Sequence, residues 1–288
     1  MNGRLPPPDW PFRDRSRLVP VRPHLWHVQD LGAGPDLLML HGAGASTHSW
    51  AGLVPLLAAD FRAILIDLPG QGYTRLGARD RCGLAAMTED VATLIRHEGW
   101  RPLAVIGHSA GAAIALQLAL AEPDLAPAVV GINAALGNFE GVEGWLFPLL
   151  ARLLALNPLV PRVFARLSGT EAQVRRLIAS TGSDLPPADL ARYVALVRKP
   201  EHVDATLAMM AQWRLDRLIA ALPRIAAPVL LIVGETDRAV PPSVSRDAAK
   251  RLPQAELVCL PGLGHLCHEE EPAAVAGPIR DFLARIRA

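Results

Sequence analysis

The chain has 288 residues, 51% of them hydrophobic, which suits one large domain with a sizeable core. Its 29 basic and 28 acidic residues leave a net charge of +1, so no field exists to recruit nucleic acid or an anionic membrane.

Taken in order, the chain alternates strand and helix. Leu25 to Gln29 reads as an early strand, Asp36 to Leu40 as an apolar strand stopping at His41-Gly42, and Phe61 to Asp67 as another ending at Pro69-Gly70. Met87 to Gly99 has the length of a helix, with Thr88 as its cap. Leu103 to Gly107 is a buried strand, Ala110 to Ala121 an apolar helix and Val129 to Asn133 a strand. Pro228 to Gly234 and Glu256 to Leu260 complete the strands, and Glu271 to Arg287 closes the chain as a helix with an acidic start.

Continuous apolar strands separated by helices imply a mostly parallel sheet covered on both faces. Residues 136–223 break the rhythm with helical character and no strand. Such an insertion would sit over the strand C-termini, where ligands bind, and reads as a helical lid. The expected organisation is a discontinuous core of residues 1–135 and 224–288 with this lid at 136–223.

Several features are ordinary. Cys82, Cys259 and Cys267 match neither a disulfide framework nor a zinc ribbon and read as free thiols. The nine histidines include no H-x-x-x-H pair with a supporting carboxylate, so no metal and no cofactor is expected. The N-terminus has no apolar h-region, and Trp145 to Ala165 is broken by Arg152, Arg162 and three prolines. No transmembrane segment is expected; a cytoplasmic location is, with room for peripheral membrane contact.

Gly107-His108-Ser109-Ala110-Gly111 carries the chemistry. It matches G-x-S-x-G directly after a strand and before a helix, the context in which a serine sits on a strained turn between small neighbours. Serine needs a base. His265, in the loop after the last strand, is the candidate; His268 is the competitor, but it leads into the helix start and is expected to face away. The acid is Asp237, after strand Pro228 to Gly234, with Glu235 as the alternative; the end of the preceding strand offers Asn133 and Ala134, which carry no carboxylate. Acyl transfer also needs an oxyanion hole. One N–H is expected from Ala110, the other from Ala43 in His41-Gly42-Ala43-Gly44. Gly42-x-Gly44 lacks the third glycine of a dinucleotide fingerprint. The lid carries Trp145, Phe147, Phe164, Met209, Met210 and Trp213, which suit a bulky hydrophobic substrate or simply pack the lid on itself. His41, His108, Trp145, Met209, Met210 and Trp213 are the candidate substrate contacts, and His202 is a polar contact.

The fold class is therefore α/β, and these motifs resemble the α/β-hydrolase fold, a mostly parallel central sheet flanked by helices with a helical lid inserted after strand six. The segments from His41 to Trp50, Gly107 to Ala113, Thr181 to Ser183, Leu207 to Trp213 with His202, and Gly264 to Glu270 resemble one family more closely. It is the magnesium-chelatase accessory protein of bacteriochlorophyll biosynthesis, an α/β-hydrolase-fold protein of photosynthetic bacteria. The likeness runs from Asp9 to Pro272, and the triad positions fall on Ser109, Asp237 and His265 without departure. It implies a role near magnesium insertion into a tetrapyrrole, with chelatase subunits as partners and the photosynthetic membrane as a place of peripheral contact. Fold does not fix function. Three readings follow: a serine hydrolase for a bulky apolar ester-like substrate, a non-catalytic porphyrin-binding or chelatase accessory module, and a carbon–carbon bond hydrolase.

Overall fold

The computed structural model describes residues 4–137 and 169–287. Eight strands form one sheet in the order β1-β2-β4-β3-β5-β6-β7-β8. They are β1 (Ser16–Val21), β2 (His24–Leu31), β3 (Asp36–Leu40), β4 (Arg62–Ile66), β5 (Pro102–His108), β6 (Val129–Ile132), β7 (Val229–Gly234) and β8 (Ala255–Leu260). β1 and β2 join antiparallel at one edge, and every pairing from β4 to β8 is parallel.

The period of two sorts each strand's side chains between two cores. Leu38, Leu40, Ile64, Ile66, Val105, Val129 and Leu231 face one side. There they pack against α2 (Leu84–Glu98) and α3 (Ala110–Ala121). Leu37, Met39, Ala63, Leu65, Ile106, Val130 and Ile232 face the other. That side is closed by α1 (Val54–Leu57) and the C-terminal helix Pro272–Arg287. Burial on both faces is why these strands are uninterrupted apolar runs. Truncating one such Leu or Ile to Ala costs about 2–5 kcal/mol.

Between β6 and β7 lie α4 (Glu171–Ser180), α5 (Pro187–Val197), α6 (Pro200–Gln212) and α7 (Asp216–Ala221). A third apolar cluster, with Val174, Ile178, Leu190 and Val194, meets Ala45 and Leu266 of the two loops at the strand ends. The chain closes with α8 (Pro242–Arg251), α9 (Cys267–Glu270) and α10 (Pro272–Arg287). No helix among the described residues is long and apolar enough to cross a membrane.

Three local expectations are corrected. Helix α2 begins at Leu84 with Gly83 as its cap, and Thr88 lies inside it, its hydroxyl donating to Leu84 O at 2.8 Å. A hydroxyl satisfied by the preceding turn does not need to cap. The closing helix is two helices, and Glu269 and Glu270 are drawn off into contacts with the insertion. β1, which the alternation did not reveal, makes Val129–Ile132 the sixth strand.

Candidate active site

The sheet order reverses at β3 and β5, so the loops leaving these neighbouring strands diverge at their C-terminal ends, the place where open α/β sheets bind ligands. Ser109 stands there, half-buried, at φ 50° and ψ −112° between β5 and α3. A non-glycine residue in that region costs about 1–3 kcal/mol and persists because its surroundings dictate it. A Cβ on Gly107 would lie 2.4 Å from Ala112 N, and one on Gly111 2.1 Å from Leu40 O. Both glycines are therefore required for the helix to start so close to the sheet. Ser109 N–H donates to Ile132 O at 2.9 Å, tying the turn to β6.

His265 and Asp237 meet at the ends of β8 and β7. His265 Nδ1 lies 2.8 Å from Asp237 Oδ2, with both side chains at least nine-tenths buried. Asp237 Oδ1 accepts from the N–H groups of Ala239 and Val240, each at 2.8 Å. A carboxylate on Nδ1–H leaves Nε2 as the lone-pair nitrogen, the tautomer a general base requires. Glu235 is exposed, which removes it as the acid. No hydrogen bond joins Ser109 Oγ to His265 among the described residues, and such bonds are often long before substrate binds.

The loop after β3 has its own logic. Gly42 has no room for a side chain, because a Cβ would lie 2.6 Å from His108 Nδ1. Gly44 N–H donates to Gln71 Oε1 at 2.7 Å and Ala45 N–H to Gly42 O at 3.1 Å. Among the described residues the N–H groups of Ala43 and Ala110 have no acceptor, and Ala43 is exposed. These two donors leave the ends of adjacent strands.

The insertion grips both halves of the site. His202 of α6 accepts from Gly72 N–H at Nδ1 and donates from Nε2 to Gly44 O, each at 3.1 Å. Burial, against the pull of Gly44 O, lowers its pKa to about 4, which keeps this tautomer neutral. Farther along, Arg238 N–H donates to Thr181 O, and Ser183 Oγ accepts from Leu266 N–H and donates to Glu270 Oε2. Glu270 also accepts from Gly264 N–H. Gly182, at φ 87°, passes so close that a Cβ would lie 2.1 Å from Thr236 O. Thr181–Ser183 is thus a wedge between the acid loop and the histidine loop.

The remaining candidates separate. His41 is fully buried, donating from Nδ1 to Gly42 O and accepting from Leu68 N–H at Nε2; both nitrogens are engaged, so it frames the loop instead of reaching a substrate. His108 is buried as well, and its Nε2 donates to His265 O at 2.9 Å. Burial, with His268 and His265 nearby, holds its pKa well below the ordinary value. Met209 is buried with its sulfur accepting from Gln71 Nε2, Met210 is exposed, and Trp213 packs on the main core. Trp145, like Phe147 and Phe164, lies outside the described residues. His268 is fully buried, its ring 4.4 Å from that of His108 and 4.8 Å from Trp50, so it turns inward and not away. Burial and then His265 push its pKa down to about 3. Sequence reasoning gave no role to Gln71, nor to Ser183 and Glu270, which it marked only as parts of the segments that carry the resemblance; their side chains hold the loops. A serine or glutamine of this kind carries no local signal.

A model of the alpha/beta hydrolase fold family matches residues 35–272. The magnesium-chelatase 30 kDa subunit of Rhodobacter capsulatus is 50% identical over 285 residues, 98% of this chain and 99% of that one. The pimeloyl-acyl-carrier-protein methyl ester esterase of Nitrosomonas europaea is 31% identical over 252 residues, covering 83% and 92%. An esterase from Thermogutta terrifontis, solved with malate, superposes with a TM-score of 0.76 at 23% identity, covering 95% of this chain and 99% of that one. At that identity it shows the fold alone. The chain belongs to the alpha/beta hydrolase fold family, and within it stands with the magnesium-chelatase 30 kDa subunit of Rhodobacter capsulatus.

Proposed function

We propose that this protein is a serine hydrolase of tetrapyrrole metabolism, cleaving an ester-like bond in a bulky apolar substrate at the magnesium chelatase step. One observation carries the reading: a buried His265–Asp237 pair at 2.8 Å, at the same sheet edge as a serine at φ 50°. His265 Nε2 takes the Ser109 hydroxyl proton as Oγ bonds to the carbonyl carbon. The N–H groups of Ala43 and Ala110 receive the developing oxyanion. His265 then gives its proton to the leaving alkoxide as the carbon–oxygen bond breaks, and water releases the acyl group by the same steps in reverse. Asp237 keeps the imidazole in place and stabilises its charged form. The insertion at 136–223 serves as the lid, and the ester chemistry of the Nitrosomonas relative supports the bond type. The site of action is the cytoplasm, at the face of the photosynthetic membrane.

Purified protein exposed to a fluorophosphonate should gain one adduct in intact mass, absent in Ser109→Ala. An adduct on both proteins would sink the reading.

The 50% identity to a protein called a chelatase subunit favours a second role, docking on chelatase subunits or holding a porphyrin. Co-purification with those subunits and quenching of protoporphyrin fluorescence are the expected results. The absence of both effects in folded protein would remove this role.

A further inference from the structure

The end of β6 was set aside above as a place without a carboxylate, yet Asn133 stands there in close contact with the acid. Its side chain is fully buried, and its backbone is left-handed at φ 46°, a conformation asparagine tolerates better than most residues. Asn133 Nδ2 lies 2.7 Å from Asp237 Oδ2, the oxygen that also meets His265 Nδ1. With Ala239 and Val240 on Oδ1, the two oxygens carry four donors, the full complement of a carboxylate. On the far side, Cys267 Sγ lies 3.0 Å from Asn133 Oδ1. A carboxylate accepts only, so the amide must present its NH2 to Asp237, and the thiol donates to the carbonyl oxygen left over. Burial, then Glu270 and Asp237, pushes the thiol pKa up, which preserves it as a donor.

We propose that Asn133 is a positioning residue that locks the orientation of the Asp237 carboxylate against His265, with Cys267 fixing the direction of the Asn133 amide. This rests on the Ser109–His265–Asp237 reading. Ala239 and Val240 hold Oδ1, but without the amide Oδ2 would rest on His265 alone, and the imidazole's aim at Ser109 would depend on that single bond. The second donor on the same oxygen fixes where Oδ2 meets the imidazole. The ends of three strands are thereby coupled, because the residue after β6 supplies the amide, the loop after β7 the carboxylate, the loop after β8 the imidazole and the start of α9 the thiol.

The test uses the full chain and two readouts. One is the rate of fluorophosphonate labelling, with Ser109→Ala as control. The other is the far-downfield proton resonance of His265 Nδ1–H, assigned by its loss in His265→Ala. Asn133→Asp keeps shape and backbone preference but removes the donor; Asn133→Gly removes the amide without backbone strain. Both should label at least about tenfold more slowly, as for loss of a hydrogen bond to a charged group, and should weaken the resonance. Cys267→Ala should be slowed, and Cys267→Ser, which keeps a donor, should be close to wild type. Wild-type labelling rates in both folded Asn133 variants would overturn the proposal. If the wild type itself takes no adduct, the triad reading fails, and the resonance alone decides the role of Asn133: lost supports it, unchanged overturns it. If neither Asn133 variant folds, the cysteine pair decides, and equal rates for the two overturn the proposal.

Discussion

Among the described residues two buried histidine–aspartate pairs lie near a half-buried serine, and the proposed reading gives chemistry to only one of them. At the site, Asp237 Oδ2 lies 2.8 Å from His265 Nδ1. On the antiparallel side of the sheet, Asp67 Oδ2 lies 2.7 Å from His27 Nδ1, and His27 Nε2 lies 3.0 Å from Ser16 Oγ. By hydrogen-bond geometry the second array is the more complete. Both carboxylates are also held by backbone N–H groups, Asp67 by those of Thr47 and Tyr73 at 2.7 Å. The difference lies in the serines. Ser16 has ordinary extended backbone at φ −80° and ψ 134°, its N–H is taken by Arg13 O, and its hydroxyl also accepts from Gln29. Ser109 is forced onto a strained turn whose next N–H is unclaimed. A catalytic array thus requires the elbow and the free donors, beyond the three side chains. The array at Ser16 instead pins β1 and β2 to the loop after β4.

The largest test of this contrast is Asp237→Asn. Labelling of Ser109 should fall by about ten-thousandfold, since the amide cannot hold the base tautomer. Wild-type reactivity would put the acid elsewhere. Asp67→Asn should act on stability instead, with labelling reduced far less than in Asp237→Asn. Burial works to raise the Asp67 pKa, but His27, His41 and the Thr47 N–H outweigh it and hold it at about 2. Because the folded value lies below the ordinary 3.8, the stabilisation is present above that pH and is lost as pH falls toward 2. It amounts to about 2 kcal/mol. Acid unfolding followed by circular dichroism should show this slope in wild type and lose it in the variant.

Glu269→Gln should act with the opposite sign. Burial, opposed by the hydrogen bond from Tyr193 Oη at 2.6 Å, pushes the Glu269 pKa up to about 8. A raised folded value stabilises fully below the ordinary pKa near 4.5, and the benefit is lost as pH rises to 8. The amide cannot ionise, so Tm at pH 8 should rise by about 10 °C, with much less change at pH 5. The smallest effect belongs to Ser16→Ala, with unchanged labelling and less than about 1 kcal/mol lost. An adduct that persists in Ser109→Ala and vanishes in the Ser16 double variant would invert the comparison.

The parallel strands were legible because burial on both faces writes continuous apolar runs into the sequence. The elbow was legible because steric necessity fixes its glycines: Gly107 and Gly111 face backbone atoms at 2.4 Å and 2.1 Å from any Cβ. Chain order then assigned Asp237 and His265 to loops at one sheet edge, where the structure brings them together. The inward turn of His268 was not legible, since a histidine beside a helix start faces either way until Trp50 and His108 pack on it. Asn133 carried no signal at all. Its importance comes from a neighbour 104 residues away along the chain.

The sequence by itself determined the sheet, the glycine-flanked turn at Ser109 and the chain order of the candidate residues Ser109, Asp237 and His265, because each depends on local periodicity or on contacts that glycine alone permits. Only the tertiary structure decided which histidines are bound into the frame, which serine stands on an unstrained strand, and how Asn133, Ser183 and Glu270 hold the loops. These depend on hydrogen bonds between distant segments, and short-range pattern carries no record of them.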